Sequence, residues 1–556
     1  MDPAAIDALL RRFDQEVPLC RRNADIALYR DFVARHDQLI SAPEVAKDDG
    51  MAIRCRQAGN RAFSCLQFEP ALGQYNRSIC FAEPGSEQLG LGFGCRSALY
   101  FELGEYEFAL YNIELAKRHN YPEKLLPKLL AREANCKERI DEGHSKGAVP
   151  VSKLDINVDA NRCIPILANG IDMTQYEDMG RGLVAVHDFN AGDLILNEKI
   201  ELCFGSFERS YSNCAHCGAE FRSSLIPCPG CVAFMYCGKK CRNEDFRTVH
   251  RFECAVATKL SNVTYANMLI TARLFFHGLT TFKDNITEYL NYCWSYAAIS
   301  SKPFDLDFPN PDPLDAFKVL HHATPNRNRT MEHLLKLSVA AFQLVFLKNP
   351  LVASMFYTAA HRNAMLRCLL LHGRVCSSLA LNQEDDRGGW LGALSPIATL
   401  VNHSCDPNAA AFVDSGTIKI AVLRPIQRGD QISIAYPPVW WNAHDGSEQA
   451  FLCKCVVCGP DGAQWHEAHQ QMSPISPEAK RELSEKIEEQ IPLCEKFQHM
   501  VQILARDGHH PGEMFGEVVK RYHDLLAEEV RQRSEQSDRA RLMLRVKGDV
   551  FGQRSG

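Results

Sequence analysis

Residues 214–254 read CAHCGAEFRSSLIPCPGCVAFMYCGKKCRNEDFRTVHRFEC, and four pairs of metal-ligating side chains fall inside these 41 residues. The pairs are Cys214 with Cys217, Cys228 with Cys231, Cys237 with Cys241, and His250 with Cys254. A CxxC turn sets two thiolates on one ion, and zinc takes four such ligands in a tetrahedron. Eight ligands therefore imply two ions. The intervening stretches of 10, 5 and 8 residues are too short to build an apolar core. Bound metal has to supply the folding energy, on the order of 10 kcal/mol per ion. The paired spacing and the histidine favour metal over disulfides.

The whole chain of 556 residues has room for roughly three or four domains. Hydrophobic residues make up 46%, enough for a sizeable core, and the net charge of −6 argues against bulk electrostatic binding to nucleic acid. The start, MDPAAIDALLRRFDQEV, lacks the apolar stretch of a signal peptide. The longest apolar run, 337–347, contains Ser338 and Gln343 and is too short to span a bilayer, so no membrane association is expected. The 23 cysteines lie in metal-like groups or singly, which points to a reducing cytoplasm or nucleus. There the glycosylation-like tripeptides at Asn76 and Asn402 are chance matches.

The ligand order of 214–254 resembles the MYND finger, whose pairs interleave. That resemblance implies one zinc on Cys214, Cys217, Cys237 and Cys241, and another on Cys228, Cys231, His250 and Cys254. It also implies a surface for proline-containing peptides. Upstream, AFSCLQFEPA (62–71) and YFELGEYEFA (100–109) repeat at an offset of 38 residues. Small residues fall at Ala71 and Ala109, where two helices approach closely. Each unit resembles a tetratricopeptide (TPR) helix pair, with 124–140 as a capping helix. By that resemblance Arg56, Asn60, Lys128 and Arg132 match a clamp for the acidic C-terminal tails of chaperones. Cys95 stands where the clamp would have a further Asn. The plainer reading is that these are solvated surface groups.

After a linker at 143–149, a Gly180-Arg181-Gly182 turn runs into an alternating strand, with a second strand at 194–196. No helix follows, which argues against a dinucleotide fingerprint. Much later come NHSCDPN (402–408), a strand-like 417–422, RGDQISIAY (428–436) and Cys453, Cys455 and Cys458. Together these resemble the SET domain of protein-lysine methyltransferases. With a finger inside that domain and repeats ahead of it, the chain resembles the repeat-bearing branch of the SET-and-MYND family.

The resemblance implies a multidomain α+β fold: a β-rich SET domain split by a MYND finger and a helical insert, with a helical TPR-like N-terminal region and a short helical C-terminal region. The expected boundaries are 1–145 for the TPR-like domain, 150–210 for the first SET part and 214–254 for the finger. The insert takes 255–390, the SET core 391–438, the cysteine-rich tail 439–460 and the C-terminal helices 470–556. It implies S-adenosylmethionine as cofactor, held by Gly180, Arg181, Gly182, Asn402, His403, Tyr436 and Phe451, with Tyr436 the catalytic residue. A third zinc falls to Cys405, Cys453, Cys455 and Cys458. The substrate would be an accessible lysine on histone or other proteins, in cytoplasm and nucleus, and direct nucleic-acid binding is not expected. The pattern departs at Gln449, where the family has a second tyrosine, at Ser377, where it has Asn, and across 440–453. These departures leave a second reading open, a scaffold that keeps the fold and recruits partners.

Overall fold

The computed structural model describes residues 4–521 except 18–24, 42, 145–154, 178, 206–209, 219–223, 264–265, 296–311, 321–328, 380, 385–389, 415, 437–452, 461, 471–474, 490, 492, 507–515 and 519. Its N-terminal region is helical. Helices α1 (Ala4–Glu16) and α2 (Ile26–Arg35) precede α3 (Asp49–Ser64), α4 (Phe68–Phe81), α5 (Glu87–Glu102), α6 (Tyr106–Arg118) and α7 (Leu126–Asp141). The 38-residue repeat shows in the turns. Leu66 (φ 59°) and Gly104 (φ 70°) take the same left-handed backbone ahead of α4 and α6. Glycine adopts that conformation freely, whereas Leu66 adopts it under strain. Ala71 and Ala109 are both fully buried. Gly59 lets α3 approach α4, because a Cβ there would lie 2.6 Å from the Tyr75 ring.

Strands β1 (Ile171–Tyr176), β2 (Gly180–Ala185), β3 (Leu194–Lys199) and β4 (Leu202–Gly205) lead into the cysteine-rich segment. That segment folds as a small hairpin, β5 (Ile226–Pro227) with β6 (Met235–Tyr236), and a short helix α8 (Lys239–Asp245). Helices α9 (Arg251–Glu253), α10 (Ala257–Val263), α11 (Ala266–Thr281), α12 (Ile286–Ser295), α13 (Pro313–Leu320), α14 (Arg329–Phe346), α15 (Pro350–Met355) and α16 (Ala359–Leu379) follow. The chain then returns to β7 (Leu381–Glu384), β8 (Trp390–Leu394), β9 (Asn402–His403), β10 (Ala409–Asp414), β11 (Thr417–Val422) and β12 (Gln431–Ile434). Among the described residues, no helix is long and apolar enough to cross a membrane.

Strands from before and after the helices share sheets. The orders are β1-β2-β12-β9, β10-β11-β3 and β4-β8-β7. Leu183, Ile195, Leu196, Ile420, Ile432 and Ile434 fill the core between them. Beyond β12 come α17 (Gly462–Gln470), α18 (Pro477–Glu488) and α19 (Leu493–Arg506). The Ser476 hydroxyl caps α18 by accepting the Ala479 N–H at 3.1 Å, and Pro477 supplies the fixed φ of the first helical position. Leu483, Met500 and Leu504 then cover Ala410, Phe412 and Leu423 on the outer side of β10 and β11.

Two buried arginines fasten the cysteine-rich segment to its neighbours. Arg96 on α5 donates to Asn112 Oδ1 at 2.7 Å, Asn76 Oδ1 at 2.8 Å and the Leu225 carbonyl at 3.0 Å. Arg273 on α11, 1% exposed, donates to both Glu253 oxygens at 2.9 and 2.8 Å and to the carbonyls of Cys203 and Ala215 at 3.0 and 2.8 Å. Asp245 lies 3.3 Å away, and the Phe204 and Phe234 rings each sit 5.3 Å from the guanidinium carbon. Replacing Arg273 by leucine strands two carboxylates in a dry interior. Arg273→Leu should cost about 3–5 kcal/mol, read as a lowered urea midpoint. Adding Glu253→Gln should recover part of the loss. A change below about 1 kcal/mol would show that the network does not hold the insert to the cysteine-rich segment.

Candidate functional site

The site is built where β12 lies between β2 and β9. β12 pairs antiparallel with β2 through Gln431–Val184 and Ile432–Leu183, and parallel with β9 through Ser433–Asn402 and Ile434–His403. This parallel pair draws 402–408 across the sheet edge. The Ser404 N–H donates to Ile434 O at 3.0 Å. The Asn408 side chain clasps β12, donating to Gln431 O and accepting from Ser433 N, each at 2.8 Å. The Asn402 side chain donates to Arg181 O at 3.1 Å. The Gly180–Gly182 strand and the Asn402–Asn408 segment, more than 200 residues apart in sequence, therefore meet side chain to backbone.

Glycine at 182 is required by this approach. A Cβ there would lie 2.6 Å from Asn402 Nδ2 and 2.7 Å from the Tyr176 ring. The Tyr176 hydroxyl is buried and has no hydrogen-bond partner among the described residues. Arg181 directs its guanidinium away to the Val319 carbonyl on α13, at 3.2 Å. Tyr436, just past β12, donates its backbone N–H to His403 Nδ1 at 2.8 Å and its phenol O–H to Val401 O at 2.6 Å. Burial raises the Tyr436 phenol pKa, so the phenol stays protonated at neutral pH. Because Nδ1 of His403 accepts, its proton sits on Nε2, which faces Cys405 Sγ at 3.2 Å. Burial holds that imidazole down to about 4, hence neutral. Its ring is committed inside the protein. Phe451 and Gln449 lie outside the described residues.

Twelve candidate ligand residues gather in three groups: Cys214, Cys217, Cys237 and Cys241; Cys228, Cys231, His250 and Cys254; and Cys405, Cys453, Cys455 and Cys458. Within each, the ligand atoms lie within 4.8 Å of one another. Sulfur separations run 3.4 Å (Cys237–Cys241), 3.7 Å (Cys228–Cys254) and 3.6 Å (Cys405–Cys458). A tetrahedron of 2.3 Å Zn–S bonds has edges of about 3.8 Å, so these sets fit zinc and are far too open for disulfides. His250 turns Nε2 toward Cys228, at 3.2 Å, and Nδ1 toward Glu253, at 3.4 Å. A carboxylate behind a ligating histidine is the usual second support of such a site.

In the N-terminal helices Arg56 donates to Gln88, Asn60 accepts from Tyr75 OH, and Arg132 donates to Gly94 O and Ser97 Oγ. Arg56, Arg132 and Lys128 nevertheless converge electrostatically on the Cys95 thiol, each opposing the rise that burial imposes on it. Sequence reasoning passed over Tyr176, Arg273, Glu253 and Glu198. Arg273 carried a signal, being one cation inside the apolar run of α11. Tyr176 carried none.

These features define a SET-domain protein, and residues 180–437 match the family model of the SET domain. The chain is 22% identical over 435 residues to protein-lysine N-methyltransferase SMYD4 of Danio rerio, spanning 67% of this chain and 56% of that protein. The Gallus gallus protein of the same name is 25% identical over 342 residues, covering 49% of this chain and 45% of its own. Histone-lysine N-methyltransferase ASHR1 of Arabidopsis thaliana is 25% identical over 296 residues, covering 51% and 54%. The chain therefore carries a SET domain and is similar to SET-and-MYND proteins. It spans little more than half the length of the Danio rerio relative.

Glu198 on β3 braces the approach to the site, accepting the Ile397 N–H at 3.0 Å and the Ala398 N–H at 2.8 Å. Burial raises its pKa from 4.5 to about 8, against the pull of those two donors. The folded state thus holds a proton that the unfolded chain releases, and stability falls as pH rises between about 4.5 and 8. Glu198→Gln should flatten that decline in a series of denaturation midpoints. Parallel pH profiles for the two proteins would remove Glu198 from this role.

Proposed function

We propose that this protein transfers a methyl group from S-adenosylmethionine to a lysine side chain of a histone or other protein. The junction of β2, β12 and β9, with Asn402 fastened to the Arg181 carbonyl, is the observation that carries the reading. Relatives named as protein-lysine N-methyltransferases support it. S-adenosylmethionine, when bound, supplies an electrophilic methyl group. Residues present at the junction suit it: bare glycine backbone at 180 and 182, the Asn402 amide, the His403 main chain and the unpartnered Tyr176 hydroxyl. Phe451 would add an apolar wall.

A free lysine has a pKa of about 10.4, so roughly one amine in a thousand is neutral at pH 7. A site that excludes water favours the neutral amine. Tyr436 cannot act as base at neutral pH, since burial raises its pKa. With its proton given to Val401 O, its oxygen presents lone pairs that align the reacting groups. Cys405 joins this segment to the 453–458 tail, so a zinc held there would pin the tail beside Tyr436.

The N-terminal helices and the cysteine-rich segment are the partner modules in this proposal, in cytoplasm and nucleus. Arg56, Lys128 and Arg132 around Cys95 suit an acidic chaperone tail, and the MYND finger a proline-containing peptide. One observation favours the scaffold reading instead. Ser377 turns its hydroxyl back onto Arg374 O of its own helix, at 3.0 Å, where the family's Asn would bind cofactor.

Elemental analysis should find three zinc ions per chain, and two would remove the tail cysteines as ligands. Calorimetric titration with S-adenosylmethionine should show one site, which Tyr176→Phe weakens roughly tenfold, the worth of about 1.4 kcal/mol. Tyr436→Phe should leave that affinity nearly unchanged while lowering radiolabelled methyl transfer on the order of a hundredfold. Cofactor binding with no transfer to any protein in a cell extract would favour the scaffold.

A further inference from the structure

A cleft of about 730 Å³ opens between the N-terminal helices and the cysteine-rich segment, away from the strand junction. Leu89 and Phe93 of α5, with Tyr111 and Leu115 of α6, form its apolar floor. Ile226 to Pro229, Gly238 to Lys240 and Arg242 form the facing wall. Its size falls in the range of true ligand sites, and its floor is apolar.

The rim is cationic in a chain whose net charge is −6. Lys47, Arg118, Lys239, Lys240 and Arg242 line the cleft, and Glu114 is the one carboxylate among the lining residues. Glu114 is already paired with Arg118 at 2.8 Å, and Lys47 donates to Cys80 O at 2.6 Å. The side chains of Lys239, Lys240 and Arg242 have no hydrogen bond or ion pair among the described residues. Lys239, Arg118 and Arg242 also converge on His119 in the cleft, where they add to the effect of burial in disfavouring its protonation. Beneath the floor, the buried Arg96 guanidinium sits 5.3 Å from the Phe93 ring centroid, with one of its nitrogens unpartnered. Positive charge above and below an apolar floor selects a ligand that is both anionic and apolar.

We propose that this cleft binds an acidic protein segment that places a large apolar side chain on the Leu89–Phe93–Leu115 floor and carboxylates against Lys239, Lys240 and Arg242. A free phosphate would gain nothing from the floor. A nucleic-acid strand would need an open cationic track with exposed stacking rings, and here the rings lie inside the cleft walls. The site is separate from the groups around Cys95, and it needs no methyl transfer.

The test pans a random twelve-residue peptide library on phage against the full-length, zinc-loaded protein. Enriched peptides should be net acidic and contain Leu, Ile, Phe or Trp. A fluorescein-labelled winner, followed by anisotropy, should bind the Lys239→Glu/Lys240→Glu variant at least tenfold more weakly, and should weaken as salt rises. Both lysines are exposed, so unchanged zinc content and thermal midpoint will show that the variant is folded. No enrichment, or winners that bind the variant as tightly, would overturn the proposal. So would a labelled single-stranded oligonucleotide that binds where no peptide does and is lost in the variant.

Discussion

Arg273 places a full positive charge where almost no water reaches, a position that costs several kcal/mol unless the partners are well placed. Glu253 accepts from its Nε and Nη2, Asp245 approaches from the same segment, and two aromatic rings close the faces. Two carboxylates for one cation leave an excess negative charge. Tyr236 OH donates to Asp245 at 2.9 Å, and His250 Nδ1 faces Glu253. His250 is at once a member of a cysteine–histidine group and a support of the ion cluster. Ordering that group and docking α11 are consequently one event, because neither carboxylate is tolerable in a dry interior before both are in place.

The same guanidinium takes the Cys203 carbonyl at the heart of β4, which pairs with β8. From β8 the chain runs through 395–401, where Glu198 caps the backbone, into the Asn402–Asn408 segment. A short sheet thus links the cysteine-rich insert to the strand junction. Sheets shared between distant chain segments make an inserted module structural even where its own surface serves other ends.

The parts of this arrangement that were legible in the sequence are those set by local spacing. The CxxC pairs and the 38-residue repeat each depend on a few neighbouring residues. Leu66 shows the limit. The repeat marks its position, but the sequence gives no hint that a leucine takes the backbone that Gly104 takes in the second unit. The junction itself was legible only through family resemblance, because no period or turn signal reveals that β12 pairs in parallel with a two-residue strand. Tyr176, Glu198 and Arg273 were missed for a common reason. Glu198 matters through backbone about 200 residues away, Arg273 through carboxylates 20 and 28 residues away on other elements, and Tyr176 through the lack of a partner among the described residues, and composition records none of these.

Arg96 and Arg273 show two ways of burying a guanidinium, and the difference reaches the surface. Arg273 is matched by carboxylates, so its interface is electrically closed. Arg96 is cradled by the amides Asn76 and Asn112 and a carbonyl, all neutral acceptors, with one nitrogen left over. Burial lowers its pKa only to about 10, so it remains charged at neutral pH. An uncompensated charge in a low-dielectric interior is screened far less than a surface lysine. The interface between the N-terminal helices and the cysteine-rich segment therefore keeps a positive field that the Arg273 interface has cancelled. It is on that interface that unmatched lysines line an apolar cleft.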